Sequence, residues 1–269
     1  MRGRIALVAG LLVAAGCTGA PERTAPPDGL TAEVIQYRGK RLTREIALAV
    51  RNDTDEDLTV RSMRLSSNRW SEAVRWSGTD EVGAGFATGI DVEPPPGTCP
   101  DGGDLSIEAD LDYALGDEER RSTVPVDDPY GVLRDLVDGD CGEQAFADAA
   151  RLDVGEPRVS GDRWTADLVL TPRDGAQRVV LNGFAPTLRF AFGPRTPTDV
   201  ALDLSRPQRV PLEVVMGRCD PHVVAEDKVG SRFGVRVSTD EVDHAYFTLE
   251  LEPGVRQSLE DFYAARCRL

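Results

Sequence analysis

Apolar residues fall on alternate positions through most of this chain. Ile46, Leu48 and Val50 alternate with Glu45, Ala47, Ala49 and Arg51; the polar stretch from Asn52 to Asp57 turns the chain, and Leu58, Val60 and Ser62 resume the pattern. Leu105, Ile107, Ala109, Leu111 and Tyr113 repeat it, the run from Leu115 to Arg121 turns, and Thr123 to Val126 returns. Farther on, the same rhythm runs through Ala166, Leu168 and Leu170, then Val179 and Leu181, then Phe233, Val235 and Val237, then Phe247, Leu249 and Leu251. Successive side chains of a strand point to opposite faces, so a period of two marks strands buried on one face. Such runs, separated by turn residues roughly every 8–12 positions, predict antiparallel β-sandwiches. Helices are expected only in the short stretches before Cys141 and Cys267 and over 143–151.

The pattern occurs twice. Gly39 to Leu48 reads in step with Gly161 to Leu170, sharing Gly, Arg, Thr and the final Leu. Cys99 matches Cys219, each just after a Gly-x pair; Cys141 matches Cys267, with Leu133, Asp135 and Leu136 answering to Leu259, Asp261 and Phe262. Three blocks in one order at nearly one offset argue for an internal duplication. Its period is far longer than a solenoid repeat, so each copy should own a core. The expected fold is all-β: two tandem immunoglobulin-like sandwiches, over residues 30–146 and 147–269.

Four cysteines follow Cys17, and four permit three pairings. Duplication selects Cys99–Cys141 and Cys219–Cys267, one pair in each copy. Each bond would stabilise its domain by roughly 3–4 kcal/mol in the chain-entropy model. A disulfide sulfur is neither a nucleophile nor a good metal ligand, so this pairing removes the thiols from chemistry.

The first residues are of another kind. Arg2 and Arg4 precede an uncharged apolar run from Ile5 to Ala15, then Gly16 and Cys17. The run is too short to span a hydrocarbon core of about 30 Å and suits a signal peptide over residues 1–16. The segment resembles the lipobox of bacterial lipoproteins, departing from it in Ala14, where that family prefers Leu. The resemblance implies that Cys17 is lipidated and becomes the new N-terminus, with two acyl chains giving stable attachment to the plasma membrane. Residues 17–29 are Pro-rich and polar, and are expected to be a disordered tether reaching at most about 40 Å. The folded part is then expected at the extracytoplasmic face, where disulfides persist.

The net charge is −15, and no basic stripe offsets phosphate repulsion, so no nucleic-acid partner is expected. Lys40 and Lys228 are its lysines; every other basic residue is arginine. The residues from Met216 to Lys228 concentrate possible chemistry. With Cys219 oxidised, Met216 and His222 remain as speculative copper or zinc ligands. The chain holds two histidines, few for a zinc site, which normally takes three protein ligands. A loop turned by Asp220 and Pro221 is the plainer reading. The stretch 218–237, with Arg-Cys-Asp-x-His and a Phe leading a strand, resembles uncharacterised secreted actinobacterial proteins, and that resemblance implies no activity. Asp53, Asp55 and Asp57 begin like a calcium loop, but Leu58 and Arg64 stand where it needs Gly and Glu.

Nucleophile-elbow, phosphate-loop and dinucleotide motifs are absent from the sequence. Trp70 and Trp76 flank a polar stretch and are speculative binding residues, packing over the sandwich edge being the plainer reading, while Trp164 falls on an apolar strand position. The expectation is therefore a non-enzymatic membrane-anchored module that binds or scaffolds an envelope protein or glycan, with no cofactor. A metal-handling lipoprotein using Met216 and His222, and an envelope-polymer hydrolase, are the alternatives.

Overall fold

The computed structural model describes residues 22–99, 104–174, 178–227, 229–240 and 242–267. The apolar run expected to be a signal peptide, and Cys17, lie outside them. The first domain comprises β1 (Arg23–Thr24), β2 (Leu30–Ile35), β3 (Ile46–Asn52), β4 (Leu58–Ser67), β5 (Val74–Val82), β6 (Phe86–Val92), β7 (Ile107–Leu115) and β8 (Glu118–Asp127), followed by helix α1 (Val132–Ala149). The second comprises β9 (Ala150–Val154), β10 (Arg158–Ser160), β11 (Arg163–Pro172), β12 (Val180–Ala185), β13 (Phe190–Phe192), β14 (Val200–Ala201), β15 (Gln208–Met216), helix α2 (Pro221–Glu226), β16 (Phe233–Ser238), β17 (Ala245–Leu249) and helix α3 (Pro253–Cys267).

In the first domain the strands pair as β5-β4-β7-β8 and as β2-β3-β6. In the second they pair as β14-β12-β16-β17 and β9-β11-β15, with β13 added beyond β15. The central strands match in both domains, β5-β4-β7-β8 with β14-β12-β16-β17 and β2-β3-β6 with β9-β11-β15, the two-sheet arrangement of an immunoglobulin-like sandwich. In the first domain β2 also pairs in parallel with β8 and joins the two sheets along one edge, and in the second β10 adds to β11. Even an irregularity recurs: the register shifts between Val60 and Ser62 in β4 and between Leu181 and Gly183 in β12. Cys99 is bonded to Cys141, and Cys219 to Cys267.

Each sandwich fills with the alternating apolar residues. One cluster holds Ile46, Leu48, Val50, Leu111 and Tyr113, the other Trp164, Leu168, Leu181, Phe233 and Val235. Polar groups within the cores find partners in two places: the Tyr113 hydroxyl meets the Ser122 hydroxyl at 3.0 Å, and Trp164 Nε1 donates to Ser258 at 3.0 Å. The side chain of Asn52, also buried, donates to the carbonyls of Glu56 and Val82 and so ties the β3–β4 turn to the end of β5.

Three features depart from the sequence reading. The tether is not irregular throughout: Arg23 and Thr24 form a parallel ladder with Arg121 and Ser122 of β8, and Arg23 pairs with Asp110. Backbone hydrogen bonds that satisfy donors on an open strand edge explain why so polar a stretch is held. The alternation through Leu58, Val60 and Ser62 breaks at the β4 bulge, beyond which Met63 and Leu65 fill the core.

The third departure is α1, which is no short stretch. It runs eighteen residues across the expected boundary between the copies. Leu133 is buried in the first core, Phe146 and Ala149 in the second. Gly139 and Gly142 make this docking possible. A Cβ on Gly139 would collide with the Tyr246 carbonyl oxygen, and one on Gly142 with the Ala245 methyl. Glycine weakens a helix interior by about 1 kcal/mol relative to alanine; here it admits the β17 backbone.

Candidate functional site

The β4 bulge also builds a groove. A bulge adds one residue to one strand and re-aims the side chains beyond it. Past this bulge Ser62 and Arg64 face outward on the β5-β4-β7-β8 sheet. Cross-strand register then sets two rungs of polar side chains. Ser77, Ser62, Asp112, Arg121 and Arg23 share one; Arg75, Arg64, Asp110 and Thr123 share the next. Together with Met63 and Trp76, all of these except Thr123 line a cavity of about 460 Å³, within the range of about 300–1,000 Å³ usual for small-molecule sites.

The two carboxylates of the groove are fully engaged. Arg121 donates to Asp112 through Nε and through Nη2 at 2.8 Å, and the Ser62 hydroxyl donates to Asp112 at 2.7 Å. Arg121, with Ser62 helping, holds the Asp112 carboxyl below the ordinary aspartate range against the opposing effect of burial. Asp110 accepts from Thr123 at 2.6 Å, pairs with Arg23 at 3.0 Å and lies 3.8 Å from Arg64. Arg75 makes no ion pair among the described residues. Four arginines thus face two aspartates in a strongly acidic protein. Arg64 and Arg75 lie directly opposite on neighbouring strands, where like charges destabilise a sheet.

The residues singled out in the sequence lie elsewhere or serve packing. Trp70 is 8% exposed and forms a bridge to Gly97, so its ring is part of the core rather than an open contact surface. Trp76 does border the groove. It packs against the core, and its indole lies so close to Gly78 that a Cβ there would come within 2.5 Å. Met216 packs against the second core, while His222 is exposed on α2. Among the described residues no three His, Cys, Asp or Glu side chains are grouped to hold a metal ion.

The stretch from Met216 to Asp227 acts as a seam. Asp220 caps α2 through the Val223 N–H, and Tyr263 donates to the Arg218 carbonyl at 2.9 Å. The nearly buried Asp227 accepts from Arg189 at 2.5 Å, and Arg189 also forks onto Glu260 and lies over the Tyr263 ring.

Sequence reasoning passed over Arg23, Ser62, Arg64, Arg75, Asp110, Asp112 and Arg121. Their signal is faint: polar residues at outward positions of strands, converging only once register and bulge are known.

No protein-family model matches this chain, and no curated protein matches it either. Solved structures resemble it faintly. Red sea bream transglutaminase aligns over 84% of this chain at 11% identity with a TM-score of 0.26, and the chain spans 32% of that protein's length, about a third. The E. coli chaperone DraB aligns over 86% of this chain and 100% of its own at 12% identity and a TM-score of 0.21. The CsuC–CsuE chaperone and tip adhesion subunit complex of Acinetobacter baumannii aligns over 77% of this chain and 90% of its own at 12% identity and a TM-score of 0.20. Likenesses this distant say nothing about activity.

Proposed function

We propose that this chain is a lipoprotein of the extracytoplasmic face of the plasma membrane, anchored through Cys17, and that it binds or scaffolds another envelope component without catalysis. The observation that carries this is where the chain enters and leaves the first domain. β1 runs parallel to β8 beside its start, so the backbone enters near the β7–β8 turn. α1 follows the far end of β8 and leads into the second domain. From Cys17 to Arg23 the chain reaches at most about 20 Å. A lipid on Cys17 would hold the turn end of the first domain close to the bilayer. It would raise the second domain beyond strands of up to ten residues, about 33 Å long. The two disulfides suit the oxidising space outside the membrane.

Binding is favoured over hydrolysis by the state of the groove acids. A glycosidase needs one carboxyl kept protonated as a proton donor. Asp112 is instead held ionised by Arg121, and Asp110 is shared between Arg23, Arg64 and Thr123.

Fractionation and mass mapping test the anchor. Wild-type protein should sediment with membranes and carry a diacylglyceryl mass on the Cys17 peptide, and Cys17→Ala should move to the soluble extracytoplasmic fraction. A Cys17→Ala protein that stays with membranes, or an unmodified Cys17 in the wild type, defeats the anchor. Retention of the wild type on delipidated envelope material, lost in Arg64→Gln/Arg75→Gln, tests the binding role; a wild type that is not retained defeats it.

A further inference from the structure

We infer that the groove takes a compact oxyanion — a phosphate, sulfate or carboxylate on a small ligand or a chain end — seated between Arg64 and Arg75. This deepens the binding role proposed above by naming the ligand class, and it rests on that reading.

Three observations converge. Arg64 and Arg75 oppose each other across β4 and β5. Arg75 has no acidic partner among the described residues, and Arg64 reaches Asp110 only at 3.8 Å. Two guanidinium groups so placed repel until an anion bridges them, and their planar donor forks match the oxygens of phosphate or carboxylate. The neighbouring charges are already balanced. Arg121 is committed to Asp112 and Arg23 to Asp110, so those aspartates orient two arginines and leave the Arg64–Arg75 pair to the ligand.

The surroundings limit the ligand's size. The exposed Glu108 follows along β7 on one side; the exposed Glu81 lies beyond the other rung, where Glu119 is paired with Arg61. A long polyanion would meet these carboxylates, whereas one oxyanionic group fits between them. An anionic bilayer is disfavoured on the same ground.

The test is titration calorimetry on the full chain in detergent and chloride buffer, with inorganic phosphate and glycerol 3-phosphate as probes. Polyglutamate and vesicles containing phosphatidylglycerol form the other arms. Saturable binding of a phosphate probe is expected, weakened at least tenfold in Arg64→Gln/Arg75→Gln and unchanged in the distant Arg256→Gln. Absence of saturable phosphate binding overturns the assignment. So does equal affinity in the double variant, or binding of vesicles or polyglutamate without the small probes. The measurement needs no membrane attachment, so its failure leaves the Cys17 anchor standing, and loss of the anchor leaves the groove untouched.

Discussion

Arg64 and Arg75 face each other with like charge on the outer face of a sheet whose inner face is fully packed. Cross-strand pairs of this kind shift stability by roughly 0.2–1 kcal/mol. Arg75→Glu should therefore stabilise the first domain by about that amount, read as a higher melting temperature, while abolishing phosphate binding. Removing charge inside the second domain acts the other way. Asp227 is nearly buried and shares Arg189 with Glu260, so Asp227→Ala leaves the guanidinium with one of its two carboxylates and should cost about 1–3 kcal/mol, measured by urea unfolding. At this scale the sequence was only partly legible. Trp164 could be assigned to the core because it falls on an alternating apolar position. The groove arginines could not be found, since nothing in a linear string says that Arg64 will stand opposite Arg75. Trp70 was legible only in its plainer reading: it sits among polar neighbours, and the Gly97 bridge folds it inward to pack rather than to bind.

Strands were the most readable elements, because period-two alternation follows directly from strand geometry. The β4 bulge was not readable; it inserts one residue into an unbroken polar–apolar rhythm, and the shift shows only against the partner strands. Helix α1 is divided in the sequence reading between a short stretch before Cys141 and another over 143–151, where the structure has one helix over Val132–Ala149. Gly139 and Gly142 within it make room for β17. Gly139→Val should drive a side chain into the Tyr246 carbonyl and loosen the contact between α1 and the second domain. Faster hydrogen exchange in α1 and β17, with protection of β3 and β7 unchanged, is the expected outcome. The disulfides were legible through the duplication. Replacing Cys219 and Cys267 together by alanine should lower the stability of the second domain by roughly 4 kcal/mol on denaturant unfolding, and leave the first domain's transition in place.

For the molecule as a whole, acid should act in two opposite steps. Burial, aided by neighbouring carboxylates at two of the three sites, raises the carboxyls of Asp135, Asp138 and Glu143 on α1 above their ordinary values. Between the unfolded value near 4 and the raised folded values, the native state binds more protons than the unfolded chain, so stability rises as pH falls. Asp112 is lowered chiefly by Arg121, and Asp203 is lowered to about 2, chiefly by the Ser205 hydroxyl. Their contributions are complete above the unfolded value near 4 and fade as pH drops through the folded ones. Hydrogen exchange corrected for intrinsic rates should therefore show α1 protected better in mild acid than at neutrality, and protection lost in stronger acid; a monotonic fall from pH 7 contradicts this. The duplicated frame has one more consequence. After its matching bulge, β12 sets Gly183 and Ala185 where β4 has Ser62 and Arg64, and opposite them stand Arg236 and Gly234 in place of Asp112 and Asp110. Tyr246 takes the place of Arg121 and covers Gly234. The same wall was thus tiled twice, once with opposed arginines and paired aspartates and once with Arg236 as the one charge among these positions, so each molecule carries a twin of its own groove that lacks the facing arginines and against which any ligand can be compared.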